Sequence, residues 1–457
     1  MPLKLRVTWR NAGSPLLPDA LADVQATADD APLAPAGAGP GLREFAIPEG
    51  AARVALKARF SAAFEAFEDV PALQEEVLSV EQAFDVDGGG AALRPAEDPA
   101  YGQAHPLVDV KAAPGSPGVV VAQIHTDFVD ITPFWMAYAR STDEYQQGHR
   151  AGAELVALGA TAGEPKIWFA NVPEACKAPP DAGVSALVFF RPEGYAYTKV
   201  DQRHEMFGLN RYLLTPDPDP GASFWARDVF EVDPRDQSRW VYLRCSFEEA
   251  LAASGKAVVM LHPWPNGSSF GAAATASLPG LAEAAIRFLW GAQKLGVGRG
   301  GVHLGKLGLA GFSAGGLPLW QALAANAGRV SEVFAFDARG AAKNEATILR
   351  WYRGDASRRL RLTGGHQLDA NAAIRKSLGG SAVDARFSAL PPDKSGYLPG
   401  ANPLWDHVCS ALADDEREAH LSSDSIWHQF AVFGGAPRPG EERAVTFLQR
   451  FLEESEL

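Results

Sequence analysis

Apolar and polar positions change rhythm partway along the chain. Over the first ~130 residues they alternate in short runs broken by turn residues, the period of half-buried strands. Lys4 to Trp9 alternates, and so does Arg53 to Phe60, where Val54, Leu56 and Ala58 share one face. Between them APLAPAGAGPG (31–41) reads as an exposed loop, being built of Pro, Gly and Ala. Leu107–Lys111 and Val119–Ile124 flank AAPGSPG (112–118) and predict a hairpin with a longish connection. One short helical piece is expected near Phe64 to Leu78. Strands at this spacing predict a β-sandwich or a similar all-β module.

From about residue 146 short apolar runs alternate with helical stripes. Strands are predicted at Leu155–Leu158, Lys166–Val172, Ala186–Phe190, Ala257–Leu261, Lys306–Ala310, Glu332–Phe336, Leu360–Thr363 and Arg386–Ala389. Several are continuously apolar, as strands covered on both faces are. Ser246 before Phe247-Glu248-Glu249 predicts an N-cap with acids in the first turn. Leu281, Ala285, Phe288 and Leu289 fall on one helix face, as do Ala444, Phe447, Leu448, Phe451 and Leu452. The pattern predicts an α/β fold, a mostly parallel sheet flanked by helices, with residues 1–145 as an N-terminal β-rich accessory domain and 146–457 as the α/β domain.

Composition narrows the function. The 457 residues carry 42 Lys+Arg against 55 Asp+Glu, a net charge of −13, which argues against a nucleic-acid binder. No apolar stretch approaches the ~18–20 residues of a membrane span, and no signal core follows the first ten residues, so the expectation is a cytoplasmic protein without integral membrane association. Cys176, Cys245 and Cys409 are odd in number and far apart, neither a disulfide framework nor a ligand cluster. Without H-E-x-x-H, a Walker A sequence or a dinucleotide-binding glycine motif opening a helix, neither metal nor cofactor is implied.

The informative segment is KLGLAGFSAGGL (306–317). Gly311-Phe312-Ser313-Ala314-Gly315 fits G-x-S-x-G, with an apolar strand before it and the helical run Leu319–Ala327 after it. A serine on so sharp a strand-to-helix turn is strained, and its neighbours two before and two after must be small. Gly311 and Gly315 meet that demand, and Ala310 and Gly316 are small too. The helix N-terminus then offers free N–H groups where an oxyanion develops. Here the chain resembles the serine hydrolases of the α/β-hydrolase fold, across roughly residues 150–457 in element order and most sharply at 306–320. Pro318, about one turn into the helix, departs from an ideal elbow.

The resemblance implies the chain order serine, acid, histidine. His428, the last histidine, lies ahead of the C-terminal stripe and is the expected base; His366, His407 and His420 compete. Two acids stay open: Asp337, ending the strand after the serine strand, and Asp369, after the following strand, where it also suits a helix start. The Ala314 N–H is the expected first oxyanion donor, and Arg191, in the loop after the third strand, supplies the second. Trp264, in a stiff His262–Gly267 loop beyond the fourth strand, lines the substrate pocket with Tyr195 and Tyr197. These implications describe an esterase or lipase-like enzyme acting on a small-molecule or polymeric ester. A peptidase, a non-catalytic binding protein on the same fold, or an enzyme whose N-terminal module grips a polymer through exposed aromatics are the alternatives. Oligomeric state is not legible.

Overall fold

A computed structural model of the chain describes residues 3–64, 73–87, 92–134, 153–163, 165–178, 183–190, 229–231, 240–242, 247–264, 270, 275–296, 301–379, 385–390, 413, 431 and 445–457. The alternating N-terminal runs become β1 (Lys4–Trp9), β2 (Ala22–Ala28), β3 (Ala31–Pro32), β4 (Pro35–Gly39), β5 (Leu42–Ala46), β6 (Arg53–Phe64), β7 (Leu73–Val86), β8 (Leu93–Pro95), β9 (Val108–Ala112) and β10 (Val119–Ile124). They make two five-stranded sheets, ordered β4-β5-β1-β10-β9 and β3-β2-β6-β7-β8. Alternation puts Leu5, Val7 and Trp9 of one sheet and Val54, Leu56, Ala58 and Phe60 of the other into a shared core. Trp9 meets Phe60 edge-on at 5.4 Å. The expected hairpin is present, β9 antiparallel to β10.

Two expectations are corrected here. Residues 31–41 include β3 and β4; β4 is an edge strand paired with β5 alone, a place where proline's missing donor is tolerated. The supposed helix near Phe64 to Leu78 is strand at Phe64 and from Leu73 onward. A register shift between Phe60 and Ser61 breaks the two-residue phase, so Val77 and Leu78 are both buried and the run loses its strand signature.

The second half builds a nine-stranded sheet. Its strands are β11 (Phe128–Asp130), β12 (Ala153–Ala160), β13 (Ile167–Pro173), β14 (Val184–Phe190), β17 (Val258–Trp264), β18 (Leu304–Phe312), β19 (Val330–Phe336), β20 (Arg359–Thr363) and β21 (Phe387–Leu390), while β15 (Val229–Glu231) pairs with β16 (Trp240–Tyr242) separately. The spatial order is β11-β12-β13-β17-β14-β18-β19-β20-β21. Neighbours are antiparallel from β11 to β17 and parallel from β17 to β21. Every predicted strand of this half is present, and the sheet starts at Phe128. The helices are α1 (Phe247–Ser254), α2 (Leu278–Gly291), α3 (Gly316–Ala325), α4 (Glu345–Arg353), α5 (Leu368–Leu378) and α6 (Phe447–Glu453). The expected face of α2 buries Ala285, Phe288 and Leu289; that of α6 buries Phe447, Leu448, Phe451 and Leu452. No described helix is long and apolar enough to cross a membrane.

The sandwich is stitched to α2. Tyr101 donates its hydroxyl to the Gly291 carbonyl at 2.7 Å, and Arg287 pairs with Asp109 at 2.6 Å. Beside that seam lies a cavity of about 470 Å³, lined by Glu76, Glu81, Asp98, Tyr101, His105 and Gln293 among others. The residues after α6 are tied to β19 and β20: the Glu456 N–H donates to buried Glu332, and Arg361 donates to the Glu454 carbonyl at 3.1 Å.

Candidate active site

β18 runs to Phe312, and the chain turns through a single tight turn, Ser313–Gly315, into α3. Ser313 has φ 55°, a left-handed backbone that costs a non-glycine residue about 1 kcal/mol or more. Its surroundings hold it there. The Arg339 N–H donates to the Ser313 carbonyl at 2.7 Å, and Trp320 Nε1 donates to the Arg339 carbonyl at 2.9 Å. A Cβ on Gly311 would stand 2.9 Å from the Gly315 carbonyl oxygen; one on Gly316 would stand 2.4 and 2.5 Å from the Arg339 oxygen and nitrogen. The small residues around the serine therefore answer to backbone, not to movable side chains. Pro318 is the third residue of α3, within its first turn, where proline is tolerated better than in a helix interior.

A serine in left-handed geometry between a parallel strand and a helix, within G-x-S-x-G, has the strand–turn–helix elbow geometry of one kind of parallel sheet. The fold is that of the α/β hydrolases. No protein-family model matches the chain, and no curated protein matches it in sequence. Among solved structures it is similar to a mutant of the feruloyl esterase module from Clostridium thermocellum complexed with sinapinate, at 11% identity over 54% of this chain and 83% of that one, TM-score 0.31. It is similar also to a thermostable esterase (10% identity, 92% of this chain, 99% of that one, TM-score 0.28) and to a carboxylesterase from Bacillus subtilis (12%, 63%, 69%, TM-score 0.21). TM-scores this low carry no weight beside the elbow and the parallel sheet that bears it.

In this α/β-hydrolase unit, Asp337 follows the strand next to the serine strand. Phe312 and Phe336 are paired across β18 and β19, so Ser313 and Asp337 leave adjacent strands at the same level. Asp337 is fully buried and also left-handed, with φ 44°. Its Oδ1 accepts the N–H groups of Gly365 at 2.8 Å and Gln367 at 2.7 Å, and its Oδ2 accepts that of His366 at 3.0 Å. Three such donors offset much of the desolvation of a buried carboxylate. Its own N–H donates to the Thr363 carbonyl at 3.0 Å. That carbonyl also accepts from Asn371 Nδ2 at 2.8 Å, and the Thr363 hydroxyl donates to the Ala431 carbonyl at 2.7 Å.

Asp369 lies elsewhere, exposed in the first turn of α5, the helix-start position that its sequence context also suits. His366 is exposed and contributes its backbone N–H to Asp337. Ala314 is buried within the turn. Trp264 is the last residue of β17, which extends through Pro263 because β13 pairs with it antiparallel, Trp168 with Pro263 and Ile167 with Trp264. His262 accordingly belongs to the strand and not to a loop; it is buried, its Nε2 2.7 Å from Asn171 Oδ1. His428, His407, His420, Arg191, Tyr195, Tyr197, Cys245 and Cys409 lie outside the described residues. Cys176 is buried, which pushes its thiol up to about 12 and leaves it unreactive.

Sequence reasoning missed the cradle at Gly365–Gln367 and the bonds that Thr363 makes to Asp337, Asn371 and Ala431. The one available signal was Gly364-Gly365 straight after a strand, a mark of close backbone approach: a Cβ on Gly364 would stand 2.7 Å from Asn371 Nδ2.

Proposed function

We propose that the chain is a serine hydrolase that cleaves carboxylic esters through an acyl-enzyme on Ser313, with His428 as general base and Asp337 as the acid that orients it. The observation that carries this reading is the pair of left-handed residues, Ser313 and Asp337, side by side at the ends of β18 and β19. Strain of this kind persists only where the surroundings over-determine it, and it gathers at reactive sites. Chain connectivity supports His428. Ala431, three positions later, is bonded to Thr363, which also bonds Asp337, and three residues span at most about 11 Å.

Serine is a poor nucleophile at neutral pH, so His428 takes the Ser313 proton as Oγ attacks the ester carbonyl. The Asp337 carboxylate stays ionised, fixes the imidazole tautomer and stabilises the imidazolium. The Ala314 N–H, at the start of the turn, and the Arg191 N–H stabilise the oxyanion. The imidazolium protonates the leaving alcohol, and water, activated by the same histidine, then releases the acid. Trp264, Tyr195 and Tyr197 line the acyl pocket in this reading. Asp369 is assigned a helix-start role, its exposed first-turn position favouring the dipole over the triad. The strand aromatics of the sandwich whose burial is described, Trp9, Phe45, Phe60 and Phe84, are buried, which favours packing over a polymer-gripping face.

The test is labelling with a fluorophosphonate, with mass-spectrometric location of the adduct and Ser313→Ala in parallel. An adduct on Ser313, together with ester hydrolysis that the mutant lacks, is expected. Folded protein that neither labels nor turns over small aryl esters would refute the reading and favour a binding protein on a hydrolase fold.

A further inference from the structure

We propose that Thr363 is a positioning residue for the general base; the proposal rests on the assignment of His428 above. Thr363 closes β20 and is 1% exposed. Packing alone would be served by any β-branched residue at a strand end. Its polar atoms do something more specific. The carbonyl holds the Asp337 N–H and the Asn371 side chain, while the hydroxyl holds the Ala431 carbonyl. One residue therefore ties the backbone of the proposed acid to the segment that follows the proposed base, although the two are far apart in sequence.

The hydroxyl bond, at 2.7 Å, has the ordinary length of a good O–H···O bond, and both its partners are buried. In surroundings that exclude water such a bond is stronger than in solvent, and a carbonyl that loses its donor has no water to replace it. In sequence the bond falls between His428 and the last helix, so it anchors the chain at Ala431, three positions past the proposed base. Asn371 fixes Thr363 in turn from the first turn of α5. The proposed acid and Ala431, three positions past the proposed base, are thus referenced to the same residue.

The perturbation that isolates this role is Thr363→Val, which keeps the β-branched shape and deletes the hydroxyl. With p-nitrophenyl acetate and the full chain, kcat is expected to fall about 10- to 100-fold with KM within about twofold, the size of effect that a misplacement near 1 Å produces. The acid limb of the pH profile is expected to move to lower pH, because an imidazolium less well aligned on Asp337 is less stabilised. Thr363→Ser, which restores the donor, is expected to recover most of kcat and to return the limb. Should the valine variant not fold, Thr363→Ala against Thr363→Ser is read the same way. A valine variant with wild-type kcat and pH profile, or a serine variant as impaired as valine, would overturn the proposal while leaving the triad intact. Ser313→Ala or His428→Ala with undiminished hydrolysis would instead overturn the triad, and the Thr363 role with it.

Discussion

Replacing Asp337 by asparagine separates the two candidate acids and puts a number on the cradle. In the aspartate, Oδ1 takes the Gly365 and Gln367 N–H groups and Oδ2 takes that of His366. An asparagine keeps the first two by placing its carbonyl oxygen at Oδ1, which turns its amide N–H toward the His366 N–H. One buried donor then faces another, at about 1–3 kcal/mol. The two surviving bonds lose their charge assistance, roughly half their strength, or about 1 kcal/mol more. Together these lower Tm by about 4–16 °C, taking about 2–4 °C per kcal/mol for a large domain. The effect on rate is of another order: without a carboxylate to hold the tautomer and the imidazolium, kcat falls about 10⁴-fold. Differential scanning fluorimetry and p-nitrophenyl acetate turnover at 25 °C, where the variant stays folded, measure the two separately. Asp369→Asn is the control; an exposed first-turn acid contributes about 0.3–1 kcal/mol to its helix, and kcat should stay within twofold. Asp337→Asn with kcat within tenfold of wild type would refute the reasoning, most of all if Asp369→Asn lost activity instead.

Ser313→Gly relieves the left-handed strain at φ 55° and is expected to raise stability by about 1 kcal/mol while abolishing hydrolysis; a lower Tm would show that the strain is not stored there. Gly316→Ala drives a Cβ to 2.4 Å from the Arg339 oxygen, a backbone atom, and overpacking of this kind is expected to cost about 1–3 kcal/mol and to lower kcat as the Arg339-to-Ser313 bond shifts; unchanged Tm and kcat would count against a rigid elbow. Burial holds His105 neutral and pushes its pKa down to about 4 from 6.5, against the opposing pull of Asp98. Between those values the unfolded chain binds a proton that the folded one does not, so the stability His105 confers is complete above pH 6.5 and is lost as pH falls toward 4, by about 3 kcal/mol. Urea unfolding at pH 7.5 and 4.0 should show wild type losing about that much more than His105→Gln, and equal losses would contradict it.

The large sheet was legible because several of its strands are buried on both faces and read as continuous apolar runs, Ala186 to Phe190 and Val333 to Phe336 among them. The elbow was legible because steric demand writes small residues into one pentapeptide. The edge strand at Pro35–Gly39 was not, since it pairs on one side only and buries nothing that would mark it. Nor was β7, whose phase is reset by a bulge. The cradle around Asp337 escaped for a deeper reason: it is made of backbone N–H groups, which every residue but proline carries and no pattern of side chains announces. The link from Thr363 to Ala431 joins positions that only the folded chain brings together.

The left-handed backbone at Asp337 has a bearing on how such a chain drifts over generations. Aspartate is the one carboxylate-bearing residue that takes this conformation with ease; a glutamate of equal charge does not share its local stabilisation there. The residues that settle most comfortably at φ 44° are glycine, asparagine and aspartate, and two of these three lack the charge. The substitutions that the backbone accepts best are therefore the ones that silence the site. Descendants with asparagine there are expected to keep the sheet and the elbow while giving up the His366 bond, so that among them a single position, and not the overall shape, would tell an enzyme of the proposed kind from its inert relative.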